Sequence, residues 1–217
     1  QLLEMSVADD DRSLTRLICD ETDRIVKLVD RMEAFSDERP VERERVNIHA
    51  VLDHVKRIAQ AGFARHIRFI EVYDPSLPPV WANRDQLIQV FLNLVKNAAE
   101  AIQNNGEAGE ILLTTAFRPG IRLTVPGTSE RITLPLEVCV HDTGPGIPES
   151  KLDIIFQEFQ RLQIDGDGTS GLGLGLSIVE RMAKVLETPV HVDSTPGKGS
   201  VFAVDVPIAI EELRLAV

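Results

Sequence analysis

Asp142-Thr-Gly-Pro-Gly-Ile147 and, some 25 residues on, Gly171-Leu-Gly-Leu-Gly-Leu176 are the two stretches on which the reading of this chain turns. The first closes a strand-like run, Ile132–His141, and the second opens a helix-like run to Leu186. Gly144 and Gly146 around Pro145 allow a sharp turn and a close backbone approach to a flat ligand. A carboxylate fixed at Asp142 can accept a hydrogen bond from an exocyclic amine. Taken alone, the same five residues also read as an ordinary surface turn. The second stretch is harder to explain without a ligand. Each glycine in a helix costs about 1 kcal/mol relative to alanine, and three stand at the start of this one. Bare backbone amides at a helix N-terminus make an anion site that suits a triphosphate. No Gly-Lys-Ser/Thr follows, so this is not a P-loop, and it does not follow a first parallel strand as a dinucleotide fingerprint would. The preceding Gln163–Ser170, rich in Gly and Asp, reads as a mobile loop able to act as a lid.

Upstream, Asn93 and Asn97 are four apart on a helix expected from about Arg84 to Gln103, with Asn83 as its cap. They share a face, with Glu100 one turn on. Leu87, Phe91, Leu94, Val95, Ala98 and Ile102 form the opposite, apolar face. Two amide oxygens on the polar face could serve a hard cation such as Mg²⁺ that also shares phosphate oxygens. Exposed asparagines on a helix are also commonplace, so the pair gains meaning only beside the two glycine stretches.

The rest of the chain reads as α+β, a two-layer sandwich. A mixed, mainly antiparallel sheet carries helices on one face and is preceded by a long bundle-forming helix. Asn47–Gln60 and Glu149–Phe159 are expected helices. Ile67–Tyr73, Glu110–Phe117, Val190–Ser194 and Ser200–Val206 are expected strands. In residues 12–36 the series Leu14, Ile18, Glu21, Ile25, Leu28, Met32, Phe35 steps by four and three, a heptad seam broken only by Glu21. The seam fits a dimerisation hairpin, with residues 1–6 as the end of its first helix, or an amphipathic helix packed on its own domain. The expected division is residues 1–38 for the partial hairpin, 39–45 for a charged linker, and 46–210 for a compact domain.

Of 217 residues, 43% are hydrophobic, enough for a packed core, and the net charge is −11. That acidity argues against broad nucleic-acid binding. No apolar run reaches membrane-spanning length, so no membrane contact is expected of this segment and a cytoplasmic location is. The two cysteines, Cys19 and Cys139, show no metal or disulfide pattern.

Four ordered motifs resemble the ATP-binding domain of sensor histidine kinases, a fold shared with gyrase B, MutL and HSP90. Gln89–Ala99 is similar to the N box, Asp142–Ile147 to the G1 box, Ile155–Phe159 to the F box, and Gly171–Val179 to the G2 box. Ser194–Ser200 resembles the closing turn before the last strand. The likeness covers about residues 46–208. Residues 12–125 look most like the nitrogen-regulation branch, and from Ile154 onward the chain looks closer to hybrid sensor kinases.

The resemblance implies ATP and Mg²⁺ as cofactors, with roles by position. Asn97 would hold the metal, with Asn93 beside it near the phosphates. Asp142 would bind the adenine amine, and Gly144 and Gly146 would shape the base pocket. Gly171, Gly173 and Gly175 would cradle the phosphates, and Arg161 would meet the γ-phosphate. Phe156 and Phe159 would be lid packing. The implied activity is transfer of the γ-phosphate to a histidine and then to an aspartate of a response regulator receiver domain. The implied assembly is a homodimer through helix 12–36. Two departures stand out. Glu100 occupies a position where the family often has a basic residue, with Lys96 a poorly placed substitute. His49, His54, His66, His141 and His191 all lack the His-Glu/Asp context of an acceptor. A catalytically inactive nucleotide-binding scaffold is therefore the alternative. A gyrase-like ATPase fits less well, because those enzymes place a glutamate base where Asn93 stands, and an amide cannot take a proton from water.

Overall fold

The computed structural model divides the chain into two compact units, Gln1–Val41 and Glu42–Val217. It describes residues 42–104, 109–118, 122–124, 131–133, 136–157 and 175–209, all in the second unit. The seam of residues 12–36, Arg161, Gly171 and Gly173 lie outside the described residues.

A five-stranded sheet in the order β2-β4-β7-β9-β8 forms the centre, built from β2 (Arg68–Val72), β4 (Glu110–Phe117), β7 (Leu136–Asp142), β9 (Gly199–Val206) and β8 (Val190–Thr195). Only β2–β4 is parallel; the other pairs are antiparallel. Period-two alternation decides the faces. Ile111 and Leu113 on β4, Leu136, Val138 and Val140 on β7, and Phe202, Val204 and Val206 on β9 are buried. Register aligns Leu113 with Val140, and Val140 with Phe202, in one apolar band.

Helices α1 (Ile48–Ala61), α2 (Arg84–Asn104) and α4 (Gly175–Leu186) form the second layer, with α2 packed between the other two and against β4 and β7. Asn47 starts α1 by accepting the His49 and Ala50 N–H groups. Ile48, Val51, Leu52, Val55 and Ala59 then recur at helical spacing on the buried side. Asn83 Oδ1 accepts the Gln86 N–H at 3.0 Å and begins α2. All six apolar positions expected on α2 are buried, Phe91 completely. Burial of such a ring stabilises by about 1.5–3 kcal/mol.

Four local expectations change. Glu44–Val46, across the end of the segment read as linker and the first residue of the expected domain, is strand β1. It pairs with β3 (Val80–Ala82), which the run of prolines before it had concealed. Ile208 bridges Val80, and the Trp81 N–H donates to Pro207, so the tail supports this small sheet. The expected strand from Ile132 is two strands, β6 (Arg131–Thr133), paired with β5 (Arg122–Thr124), and β7. Pro135 between them removes a ladder donor. Among the described residues, the expected helix Glu149–Phe159 is α-helical only over α3 (Glu149–Leu152), and Phe159 lies outside them. Beyond it, Ile154 N–H donates to Lys151 and Gln157 N–H to Ile154, a three-residue step of successive turns. Leu152, Ile155 and Phe156 have the same spacing in either conformation, so periodicity could not tell them apart.

Candidate nucleotide site

Three elements converge at one end of the sheet. Asn93 and Asn97 both lie half-buried on α2. Asn93 Nδ2 donates to the Gln89 carbonyl at 2.9 Å. This ties down the amide end and leaves the oxygen as the end able to meet a cation. Asn97 faces the first residue of α4, where a β-carbon on Gly175 would lie 2.8 Å from Asn97 Oδ1. Among the described residues, Asn97 Nδ2 is buried without a hydrogen-bond partner. A buried donor left unmatched costs about 1–3 kcal/mol, so the amide is set for an acceptor such as a phosphate oxygen. Rotating the carboxamide half a turn presents its oxygen to a metal instead.

Asp142 ends β7 and is 7% exposed. Its Oδ1 accepts the Gly144 N–H at 2.8 Å. Burial pushes its carboxyl pKa up, while bonds from Gly144 and from the Ser200 backbone and hydroxyl oppose the rise. A partly desolvated acceptor fixed in place is what recognition of an amine needs. Gly144 sits against α2, where a β-carbon would stand 3.0 Å from that of Ala101. The G1-like turn is thus seated on the helix that carries the asparagines.

The turn between β8 and β9 holds the other side of this loop, a role the sequence reading did not assign. Gly197 N–H donates to Pro145 at 2.7 Å, and the Ile147 N–H to Ser194 Oγ at 2.8 Å. Ser194 Oγ in turn bonds the Gly199 carbonyl and Ser200 Oγ, both at 3.0 Å. Gly146, at φ +71°, and Gly199, at φ +106°, adopt the left-handed region where side chains are strained. Their β-carbon positions fall 2.2 Å from the Thr195 carbonyl oxygen and 1.9 Å from that of Asp142. The only sequence signal for this clamp was the likeness of Ser194–Ser200 to a family turn.

The structure therefore brings together Asn93, Asn97, Asp142, Gly144, Gly146 and Gly175. Phe156 lies elsewhere, in an open cleft of about 620 Å³ with Leu152, Glu180, Val190 and Val192. Among the described residues no group of His, Cys, Asp or Glu is placed to hold a metal ion. A cation here would rest on amide and phosphate oxygens, which suits Mg²⁺.

A sandwich of this topology, with a helix-borne asparagine pair facing a glycine-opened helix and a buried carboxylate, defines a class of ATPase domains. The chain belongs to the histidine kinase-, DNA gyrase B-, and HSP90-like ATPase family, whose profile matches residues 82–210. It is 68% identical over 182 residues to the sensory histidine kinase/phosphatase NtrB of Rhizobium leguminosarum bv. phaseoli, covering 84% of this chain and 46% of that protein. The NtrB of Azospirillum brasilense is 53% identical over 208 residues, 96% of this chain and 50% of that one. That match extends well past residues 12–125, to which the sequence reading confined this branch. The crystal structure of full-length ShkA in complex with AMPPNP superposes with a TM-score of 0.70 at 25% identity, over 96% of this chain and 42% of ShkA. The chain spans about half the length of these relatives. Among the described residues no helix is long and apolar enough to cross a membrane.

Proposed function

We propose that the second unit binds ATP with Mg²⁺ and serves as the kinase part of a two-component sensor histidine kinase concerned with nitrogen regulation. The observation that carries this is the buried Asn97 amide, unpartnered among the described residues and facing Gly175, one turn from Ala101, on which the Asp142–Gly144 turn is seated. Asp142 accepts the adenine amine, with Gly144 and Gly146 keeping the base edge clear. Asn97 and Asn93 meet the metal and the phosphates. Gly175, with Gly171 and Gly173 before it, offers backbone N–H groups to the phosphate oxygens. Mg²⁺, when bound, neutralises charge on the transferring group. Arg161 is assigned to the γ-phosphate. AMPPNP in ShkA, an ATP analogue on the same fold, supports the choice of nucleotide.

In the transfer, the bond from the γ-phosphorus to the β,γ-bridging oxygen breaks and a bond to an imidazole nitrogen forms. ADP leaves and the imidazole loses its proton. The acceptor is a histidine outside the five present here, on a dimerisation hairpin to which residues 1–38 contribute. Residues 39–45 form the lead into the compact domain of residues 46–210. Helix 12–36 makes the homodimer, a receiver domain takes the phosphoryl group onto aspartate, and the location is cytoplasmic. The name kinase/phosphatase on the NtrB relatives supports a regulator-directed activity.

Calorimetric titration with Mg·ATP tests the reading. Binding that disappears in Asn97→Ala and Asp142→Ala is expected, with no radiolabel retained by this chain alone. Absence of binding to the unaltered chain defeats it. A second reading, a nucleotide-binding scaffold without transfer, draws on Glu100 in place of a basic residue. A longer protein with its acceptor helix, binding Mg·ATP yet forming no phosphohistidine, would favour that reading.

A further inference from the structure

Glu42 and Arg43, the first described residues of the second unit, are each fixed to the end of a different site helix. The Glu42 carbonyl accepts from Asn83 Nδ2 at 3.0 Å. The same Asn83 caps α2 through its Oδ1, and α2 carries Asn93 and Asn97. The Arg43 guanidinium reaches the Val185 carbonyl at 3.4 Å and the Glu187 carboxylate at 3.5 Å, at the far end of α4. That end is unusual. Thr188 N–H donates to Ala183 at 2.8 Å and Glu187 N–H to Lys184 at 3.2 Å. This is the closing pattern that normally places glycine in the left-handed position. Here Glu187 occupies it, at φ +57°, the single non-glycine residue with positive φ among those described. A cation beside the last carbonyls of a helix is favourable, and Arg43 supplies it while pairing with the Glu187 carboxylate.

The other end of α4 is Gly175, against Asn97. A twelve-residue helix is a rod roughly 18 Å long, and packed rigid elements carry displacement from end to end. We propose that Arg43 is a positioning residue for the nucleotide site. It anchors the C-terminal end of α4 while Glu42 anchors the N-terminus of α2, so that two adjacent residues set the spacing of Asn97 and Gly175. The proposal rests on the nucleotide-binding reading above. It adds that the point where the chain leads into this unit is coupled to affinity.

The test titrates the 217-residue chain with Mg·ADP and follows amide exchange in α4. Arg43→Ala is expected to weaken binding threefold or more, and Arg43→Lys, which keeps a cation at the helix end, to recover most of it. Lys184→Ala breaks the Lys184–Glu180 pair on the same helix and is expected to bind as the unaltered chain does. Equal affinity in Arg43→Ala, or an equal loss in Lys184→Ala, overturns the proposal. If Arg43→Ala does not fold, Glu187→Gln removes the ion pair from the other side and carries the same readout. If the unaltered chain binds no Mg·ADP, the functional reading fails on its own account. Exchange at Gly175–Ile178 then decides this proposal: faster exchange in Arg43→Ala supports it, and unchanged exchange sinks it.

Discussion

Asn97 and Gly175 stand closer than any side chain at residue 175 would permit. A β-carbon there would lie 2.8 Å from Asn97 Oδ1 and 3.1 Å from Nδ2. Gly175→Ala therefore displaces the asparagine, whereas alanine in place of glycine favours the helix by about 1 kcal/mol. The expected outcome is a melting temperature unchanged or raised, with Mg·ATP affinity reduced tenfold or more. Calorimetry and thermal melting on one sample check both, and a fall in melting temperature with affinity intact would contradict the geometry.

Asp142 is a functional liability for the empty fold. Its carboxyl pKa is raised above the ordinary 3.8, by burial first, against the bonds from Gly144 and Ser200. The folded state thus binds a proton that the unfolded chain has released, and stability falls as pH rises from about 3.8 through the folded value. Asp142→Asn should stabilise the ligand-free protein by an amount that is smallest near pH 4 and grows as pH rises through the folded value. On the proposed nucleotide reading, the same change sets an amide where the adenine amine needs an acceptor, and should weaken ATP binding by tenfold or more. Urea unfolding at a series of pH values, with titration at pH 7.5, measures the two effects.

Gly199 has no substitute. Its φ of +106° and a β-carbon position 1.9 Å from the Asp142 carbonyl oxygen combine strain with a backbone clash. Gly199→Ala is expected to cost about 2–3 kcal/mol, lowering the melting temperature by roughly 5–10 °C. Gly197→Ala, where a β-carbon meets nothing within 4 Å, should cost less despite its own positive φ.

On the sheet face away from the helices, His191 Nε2 lies 3.0 Å from Asp205 Oδ2. Asp205 is 1% exposed, and among the described residues its Oδ1 has no hydrogen-bond partner. His191→Ala leaves the whole carboxylate unmatched and should cost about 1–3 kcal/mol in urea unfolding. Adding Asp205→Asn should recover part of that loss, since a neutral amide is cheaper to bury than a charge.

Elements with a strong internal period were legible in advance. β4 runs from Glu110 to Phe117 as expected, and the apolar face of α2 is buried at every position named. The asparagine pair, Asp142 and the nearby glycines are each commonplace alone, and were singled out by their order beside the glycines before α4 and by the family likeness. β1 and β3 were missed because three-residue strands have no period. They exist through each other and through Pro207–Ala209, far along the chain. The grip of Ser194, Thr195 and Gly199 on the G1-like turn was equally invisible, since it depends on strand register and not on local pattern. Arg43 looked like one more charge in a linker, and only the end of α4 beside it shows what it holds.

The grip of the last turn on Asp142-Thr-Gly-Pro-Gly146 also sets an order in time. A chain emerging from synthesis has Asp142 more than fifty residues before Ser200. Until that turn is made, the Ile147 N–H has no Ser194 to meet and the loop has no outer wall. The proposed base pocket is therefore among the last features to be completed, after both asparagines and Gly175 have been made. A half-made chain can hold every residue of the site and still be unable to close around a nucleotide.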